Sequence, residues 1–575
     1  MKKIIALLLC MVMLSVSLTS CIRTTSDYKG VEIPIFLSDP VYNLDPAFAY
    51  LDDGATKLLS LLFEGLYVLD EDGKPVEAMA KGYETYKDRD GNFICEFQLN
   101  ETKWNDGRRV NANDFVFAWK RLIQPDFESP AAALLYDIKN ARDCKTGEKS
   151  IDDLGVSAVG TKTLQVMFER EIDIEQFIEV TASPALVPLR DDKVSRLDNW
   201  ATSYVTMATN GPFYVKIYET SGNVMTLERN VHYFRNAEKA VFLDSKVSPF
   251  RLLVYFNAPE YLTNNANEDD DYYADVNLAF SSNIARSGEI KDANVLPTLN
   301  THTYIFNTTK APFDNADVRK ALSMALDRDE IVKMVNYAEA AEGFIPEGVF
   351  DTKNGDSFRE NGKALISSKA DVEGAKALLG KVSEKKFDIT VRTGDLTALA
   401  VANYAAEAWA ELGFEVSVVE KGYIEKDQLE YVQYQDLFYE AYKTGDFDVI
   451  AVDQQMLTAY AFGNLAPYAK EFSGMIDVEN DYAAKPHYSG FDNEEYNKLI
   501  ARAFEEKSAS KRSDLLHQAE EMLAELMPAV PVFVYQNAYV RSKDLKNLDT
   551  TYFGAVTFTK AKLSNEDKYK VVLPE

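Results

Sequence analysis

The chain has 575 residues, 46% hydrophobic and 12% aromatic, more than the roughly 250 to 300 residues that one core supports, so two or three lobes are expected. Its formal net charge of −29 argues against a nucleic-acid partner and sets the folded body against an anionic membrane surface. Thirty-two Tyr and 32 Phe suit both packing and a wet, adaptable cleft.

At the start, Lys2 and Lys3 precede an apolar run from Ile4 to Val16, which reads as an export signal. The run is too short to span a bilayer, and no later stretch approaches the roughly 18 to 20 apolar residues a span needs. Leu18-Thr19-Ser20-Cys21 resembles a lipoprotein signal box, which implies cleavage before Cys21 and a lipid on its sulfur; the alternative is an ordinary secretory signal with an incidental cysteine. Residues 22–29, rich in Thr and Ser, would form a tether. Cys95 and Cys144 could pair only with each other in a monomer, but Cys95 shares the apolar face of an alternating strand and reads as a buried thiol.

In the mature chain, 31–37 is strand-like, and VYNLDPAFAY follows with Asn43, Asp45 and Pro46 as turn residues, placing Tyr42 and Asn43 at an edge or cleft. A helix covers 55–62 and an alternating strand 93–99. DEDG and DRDG read as hairpin turns, because a calcium loop ending at either glycine would need Val68 or Tyr86 as its first ligand. After Trp104, Asn111 or Asn113 caps a helix whose Phe115, Ala118, Trp119 and Leu122 share a face. Strands follow at 164–168 and 251–257, a hairpin at 210–234 turns near Ser221-Gly222-Asn223, and the acidic run 267–271 reads as a solvated loop.

The stretch 303–332 carries a strand through Tyr304, Ile305 and Phe306 into a turn and a helix bearing Val318, Ala321, Leu322 and Ala325. Asp327 with Glu330 has capping-box spacing, so a second helix starts there, and this tight strand-to-helix crossing marks a domain entry. Beyond it, Phe387, Ile389 and Val391, then the helical stripe Leu399, Ala402, Ala406 and Trp409, then Phe414, Val416 and Val418 make a βαβ unit. A helix is expected over 425–442, a doubly covered parallel strand at FDVIAVD, two amphipathic helices from Tyr496 to Leu526, and a last strand at PAVPVFVYQNAYV.

No G-x-G fingerprint, phosphate loop, H-E-x-x-H or G-x-S-x-G elbow occurs, and His232, His302, His487 and His517 are scattered. The expectation is a non-enzyme with no cofactor and no metal. Asp453 ends the apolar run 449–452, and open α/β sheets bind ligands at such strand ends, where Gln454, Gln455, Thr393 and Asp395 would gather. Asp453 then either caps a following helix or pairs with a ligand ammonium.

LDPAFA, LLFEGLYVLDEDG, WNDGRRVNANDFVFAWKRLI, NGPFYVKIYETSGNVMTLERNVHYF and IFNTTKAPFDNADVRKALSMALDRDEIV together resemble, in order, the signature blocks of extracytoplasmic peptide-binding proteins that feed ABC importers. The resemblance implies an α/β, periplasmic-binding-protein-like fold (type II, cluster C), a two-lobed cleft with an extra insertion lobe. Lobe I would combine 31–60, 191–302 and 531–575, the insertion lobe would be 61–190, and the α/β lobe 303–530. It also implies a monomer, lipid-anchored on the extracytoplasmic face of the cell membrane, which encloses a peptide by hinge closure at 299–307 and 530–535 and passes it to permease and ATPase subunits. Tyr42, Asn43 and Asn210 join the expected ligand-binding set. One position departs: the family's Trp, and the Asp three residues on that pairs the peptide ammonium, read Gln454 and Leu457 here, with Asp453 the nearest acid. Relatives that bind nickel, heme, sugars or antibiotics, and a surface-anchored hydrolase, are the alternatives.

Overall fold

The computed structural model describes residues 29–572 apart from 38–40, 42, 52, 71, 197–199, 202–206, 220–223, 238–249, 256–277, 281–293, 353–354, 383, 427–432 and 481–482. The export segment, Cys21, Tyr42, the 221–223 turn and the acidic run 267–271 lie outside the described residues.

The strand β1 (Lys29–Phe36) buries Val31, Ile33 and Ile35, and a 3-10 turn, Pro46–Leu51, leads into α1 (Asp53–Leu62). A small antiparallel sheet follows, built from β2 (Ala80–Lys87), β3 (Phe93–Leu99), β4 (Val156–Val159) and β5 (Thr163–Met167) in the order β2-β3-β5-β4. DEDG and DRDG both close hairpins, with Gly73 N donating to Asp70 O at 3.0 Å and Gly91 N to Asp88 O at 3.1 Å. Helices α2 (Ala112–Ile123) and α3 (Ile174–Val180) belong to this four-stranded unit. Asn111 caps α2, its side chain accepting from Asn113 N while Asp114 accepts from Asn111 N. Cys95 and Cys144 are free and buried, and burial pushes the Cys95 thiol up to about 12.

The chain then supplies β6 (Phe213–Glu219), β7 (Val224–Arg229), β8 (Phe250–Tyr255), β9 (Leu278–Phe280) and the long β10 (Asn294–Phe306), whose last nine residues are all buried. α4 (Ala316–Met324) and α5 (Arg328–Val335) meet at Asp327, whose carboxylate accepts from Glu330 N at 3.0 Å. Only half of the expected capping box forms, because Glu330 turns to Lys333 at 2.6 Å. Arg328 opens α5 fully buried, and its guanidinium donates to Pro531 O, Ser323 O and Ser367 O. A buried cation is tolerated there because carbonyls take up its donors.

β11 (Lys386–Arg392), α6 (Leu396–Ala410) and β12 (Glu415–Lys421) form the expected βαβ unit, with parallel pairing from Lys386 opposite Glu415 to Arg392 opposite Lys421. Trp409 closes α6 onto α4, its Nε1 donating to Leu322 O at 2.9 Å. The helix expected over 425–442 is only α7 (Leu437–Thr444), preceded by a two-stranded ribbon, Tyr423–Lys426 with Gln433–Asp436. The Asp436 carboxylate accepts from Tyr439 N at 2.9 Å and so fixes the helix start well downstream. β13 (Val449–Gln455), α8 (Glu494–Glu505), α9 (Ala509–Leu526) and β14 (Ala529–Arg541) complete the chain's main elements.

Among the described residues the large sheet has 12 strands, ten of them in the order β12-β11-β13-β10-β14-β9-β1-β8-β7-β6. β10 and β14 run through its middle and belong to both halves. Their ladder breaks twice, between Pro297 and Thr301 and between His302 and Thr303. Register explains the double membership: 294–297 pair with 536–539 on one side of the first break, and 301–305 pair with 529–534 on the other.

Candidate functional site

β13 is paired with β10 along its whole length, from Asn300 opposite Gln455 to Phe306 opposite Val449. On its other edge β11 reaches only Val449 and Ile450. Beyond that register β11 runs on through Val391 and Arg392 paired with β12 alone, and the chain then turns through Gly394, in the left-handed region at φ 89°, and enters α6 with Asp395 as its N-cap. The edge 451–455 therefore has no strand partner among the described residues, and the turn Pro46–Leu51 packs beside it.

That opposing wall is held by local turn bonds and by an ion pair from α2. Asn43 Oδ1 accepts from Asp45 N at 2.9 Å, Asp45 Oδ1 accepts from Ala47 N at 3.1 Å, and buried Asp45 pairs with Arg121 at 2.5 Å. Tyrosines cluster beside the turn. Tyr50, Tyr439, Tyr442 and Tyr488 are buried closely enough that burial and one another's charge hold their phenols above the usual range. Glu128, from the four-stranded unit, accepts from Tyr488 Oη at 3.3 Å and lies 3.6 Å from Lys443 Nζ.

Gln454 points into this wall, its amide 3.4 Å from His487 Nδ1 and 3.4 Å from Tyr468 Oη. His487 is buried, its ring tilted at 47° against the Tyr468 ring with centroids 4.3 Å apart, and burial lowers its pKa to about 3, so the ring is neutral. His487 and Tyr488 hold φ of 45° and 52°, a left-handed pair that sequence reading missed; its signal is Gly490 two residues on, which marks a turn but not its strain.

The other expected site residues divide. Asp453 lies inside β13 and caps no helix, a correction that follows from the strand continuing to Gln455. Its Oδ1 is 2.7 Å from His302 Nδ1 and its Oδ2 accepts from Tyr535 Oη at 3.1 Å. Asp395 is the helix cap instead, accepting from Ala398 N at 2.8 Å; burial first, then the Asp453 charge, raise its pKa to about 6. Gln455 is buried opposite Asn300, its Nε2 donating to Met456 O at 3.2 Å. Thr393 is exposed at the rim, its N–H bonded to Lys421 O. Asn210 is a second correction: it is fully buried, its amide accepting from Glu64 N at 3.2 Å and donating to Glu64 O at 2.8 Å, which spends it on the backbone.

Past β13 the chain borders a cavity of about 510 Å³, walled by Thr458, Tyr460 and Phe462 on one side and by Phe177, Glu179 and Arg170 of the four-stranded unit on the other. Glu179 Oε1 accepts from Ala459 N at 2.5 Å, and burial pushes the acid up to about 8. Glu179 had no sequence signal, since its neighbours across the cavity are some 280 residues away.

Residues 74–475 match the family described as bacterial extracellular solute-binding proteins, family 5 Middle. The chain is 29% identical over 552 residues to the oligopeptide-binding protein OppA of Bacillus subtilis, covering 93% of each. It is 28% identical over 500 residues to the dipeptide-binding protein DppE of the same organism, covering 85% of this chain and 84% of that one. Among solved structures, the pheromone receptor PrgZ, reported with its mode of peptide binding, superposes with a TM-score of 0.75 at 24% identity over 93% of this chain and all of the other. Listeria monocytogenes OppA bound to peptide gives 0.73 at 22%, over 93% and 99%. These likenesses carry the α/β two-lobed solute-binding fold. The chain belongs to the bacterial extracellular solute-binding proteins of family 5.

Proposed function

We propose that this protein captures peptides outside the cytoplasm and delivers them to an ABC importer, without a catalytic step. The observation that carries this reading is the edge 451–455 of β13, which has no strand partner on that side among the described residues and lies beside a braced turn and a cluster of buried tyrosines. An extended peptide laid on that edge gains main-chain hydrogen bonds that do not depend on its side chains, and tyrosines accommodate varied residues. Names of the relatives, oligopeptide- and dipeptide-binding, support it.

In this reading Asn43, Gln454 and Gln455 border the ligand, and Thr393, Asp395 and Asp453 form the rim and its support. Lobe I (31–60, 191–302, 531–575), the insertion lobe (61–190) and the α/β lobe (303–530) close on the peptide about β10 and β14. Cys21 carries the lipid that keeps this monomer at the membrane; no helix among the described residues is long and apolar enough to cross one. Mass spectrometry of material released from the purified protein is expected to find peptides of mixed sequence. A single nickel chelate, heme or sugar in their place overturns the reading.

A further inference from the structure

The cavity beyond β13 has a feature that peptide backbone capture leaves unused. Glu179 is 3% exposed, lines that cavity, and uses one oxygen on Ala459 N while Oε2 has no hydrogen-bond partner. A carboxyl oxygen left without a hydrogen-bond partner in a buried site costs free energy, whichever protonation state it holds. No basic side chain among the described residues supplies that donor. Arg170 is spent on Asp137 at 2.9 Å and on Phe504 O at 2.6 Å, and Arg512 on Gln176 and Glu506 O. Glu171 pairs with Lys87 at 2.8 Å and feels Lys507 on the open rim.

Position adds to chemistry. Ala459 lies four residues beyond Gln455, so a ligand strand on the free edge of β13 runs off its end toward Glu179. Leu457, between them, has no charge to offer a ligand.

We propose that this cavity seats an ammonium group of the ligand, with Glu179 Oε2 as its acceptor, so that the four-stranded unit reads the ligand's positive charge. The assignment rests on the peptide-capture reading above. The ammonium is the chain terminus or a lysine side chain, which share one chemistry. Burial keeps Glu179 protonated while the cavity is empty of cations, and only the Ala459 N–H counters it. The remaining titratable groups around it are Asp137, itself raised by burial, Asp173 at the start of α3, Glu505 across the cavity, and the phenols of Tyr460 and Tyr552, both of which the Glu179 charge raises. Seating an ammonium then transfers the Glu179 proton to solvent, and charge balances as one cation enters and one proton leaves.

The test uses the full-length protein, stripped of bound material, and a mixture of random-sequence pentapeptides in four forms: free-amine or N-acetylated, each with or without lysine. Captured peptides are quantified by mass spectrometry. Wild type is expected to enrich one ammonium-bearing class over N-acetylated, lysine-free peptides by at least about tenfold, and the class enriched identifies the source. Glu179→Gln keeps the acceptor for Ala459 N, and is expected to bring that ratio near parity while still capturing N-acetylated, lysine-free peptides. An unchanged ratio in a folded Glu179→Gln protein overturns the assignment and leaves peptide capture standing; failure of wild type to capture any form overturns both. Calorimetry of wild type with the enriched class in buffers of different ionisation enthalpy needs no variant. Release on the order of one proton per ligand near neutral pH is expected, and no release overturns the assignment.

Discussion

His302 Nδ1 lies 2.7 Å from Asp453 Oδ1 across the β10–β13 pair, and Tyr535 Oη reaches the other carboxylate oxygen from β14 at 3.1 Å. One carboxylate thus joins three strands at the place where the β10–β14 ladder is irregular. His302 is fully buried and stacks on Phe533 at 4.9 Å.

Asp453→Ala leaves that imidazole with neither nitrogen bonded, since Nε2 already has no hydrogen-bond partner. A loss of about 1 to 3 kcal/mol in urea unfolding is expected. Asp453→Asn is expected to weaken free-amine and N-acetylated peptides equally in calorimetry, in contrast to Glu179→Gln; a loss confined to the free amine would place the amine reader at Asp453.

Asp395 and Glu179 both have pKa values raised above those of an unfolded chain, to about 6 and about 8. The folded state then binds more protons than the unfolded one, so these groups subtract stability as pH rises from about 4 through 6 and 8, in that order. Asn is also a good N-cap. Asp395→Asn should be near neutral in urea unfolding at pH 4 and more stable than wild type by about 1 to 2 kcal/mol at pH 7.5. Equal stability of the two proteins at both pH values would count against a raised Asp395.

Gly474 meets the four-stranded unit so closely that a Cβ on it would lie 2.4 Å from Ser129 O and 3.0 Å from Pro130 Cα, and its φ is 67°. Gly474→Ala should therefore hold the two units apart. Small-angle scattering at saturating peptide is expected to show compaction for wild type and a larger radius of gyration for the variant, with affinity weakened at least about tenfold. An unchanged radius in wild type on binding would indicate a rigid pocket.

Cys21→Ala should move the protein from the detergent phase to the aqueous phase on partitioning, because the acidic body has no charge-based hold on the membrane. Equal partitioning of variant and wild type would remove the lipid.

Local grammar carried the fold well: alternation placed β3, β5 and β11, the 3.6-residue stripes placed α2, α8 and α9, and Asn111, Asp327 and the two glycine hairpins stand where turn chemistry put them. The expected helix over 425–442 failed because Asp436, a strong start signal, sat inside it. The site was less legible. Asp395 and Asn210 were read as polar groups for a ligand, yet backbone groups brought in by folding claim them, Ala398 N in one case and Glu64 in the other. Glu179, His487 and Tyr468 gained their surroundings only through contacts between distant segments, which no local pattern encodes.

The interruption of β10 between Pro297 and Thr301 sets three residues, Thr298, Leu299 and Asn300, against the single Tyr535 of β14. Thr298 Oγ1 donates to Tyr535 O at 2.6 Å, and paired backbone resumes on either side, broken once more between His302 and Thr303. Rotation of the proposed lobes about β10 and β14 would concentrate its torque in this short stretch of backbone. Arg328, donating to Pro531 O, would anchor β14 to α5 during that rotation. On that reading the cleft closes against a torsion spring, whose stiffness would be set by a handful of hydrogen bonds around Tyr535 and not by the area of the cleft.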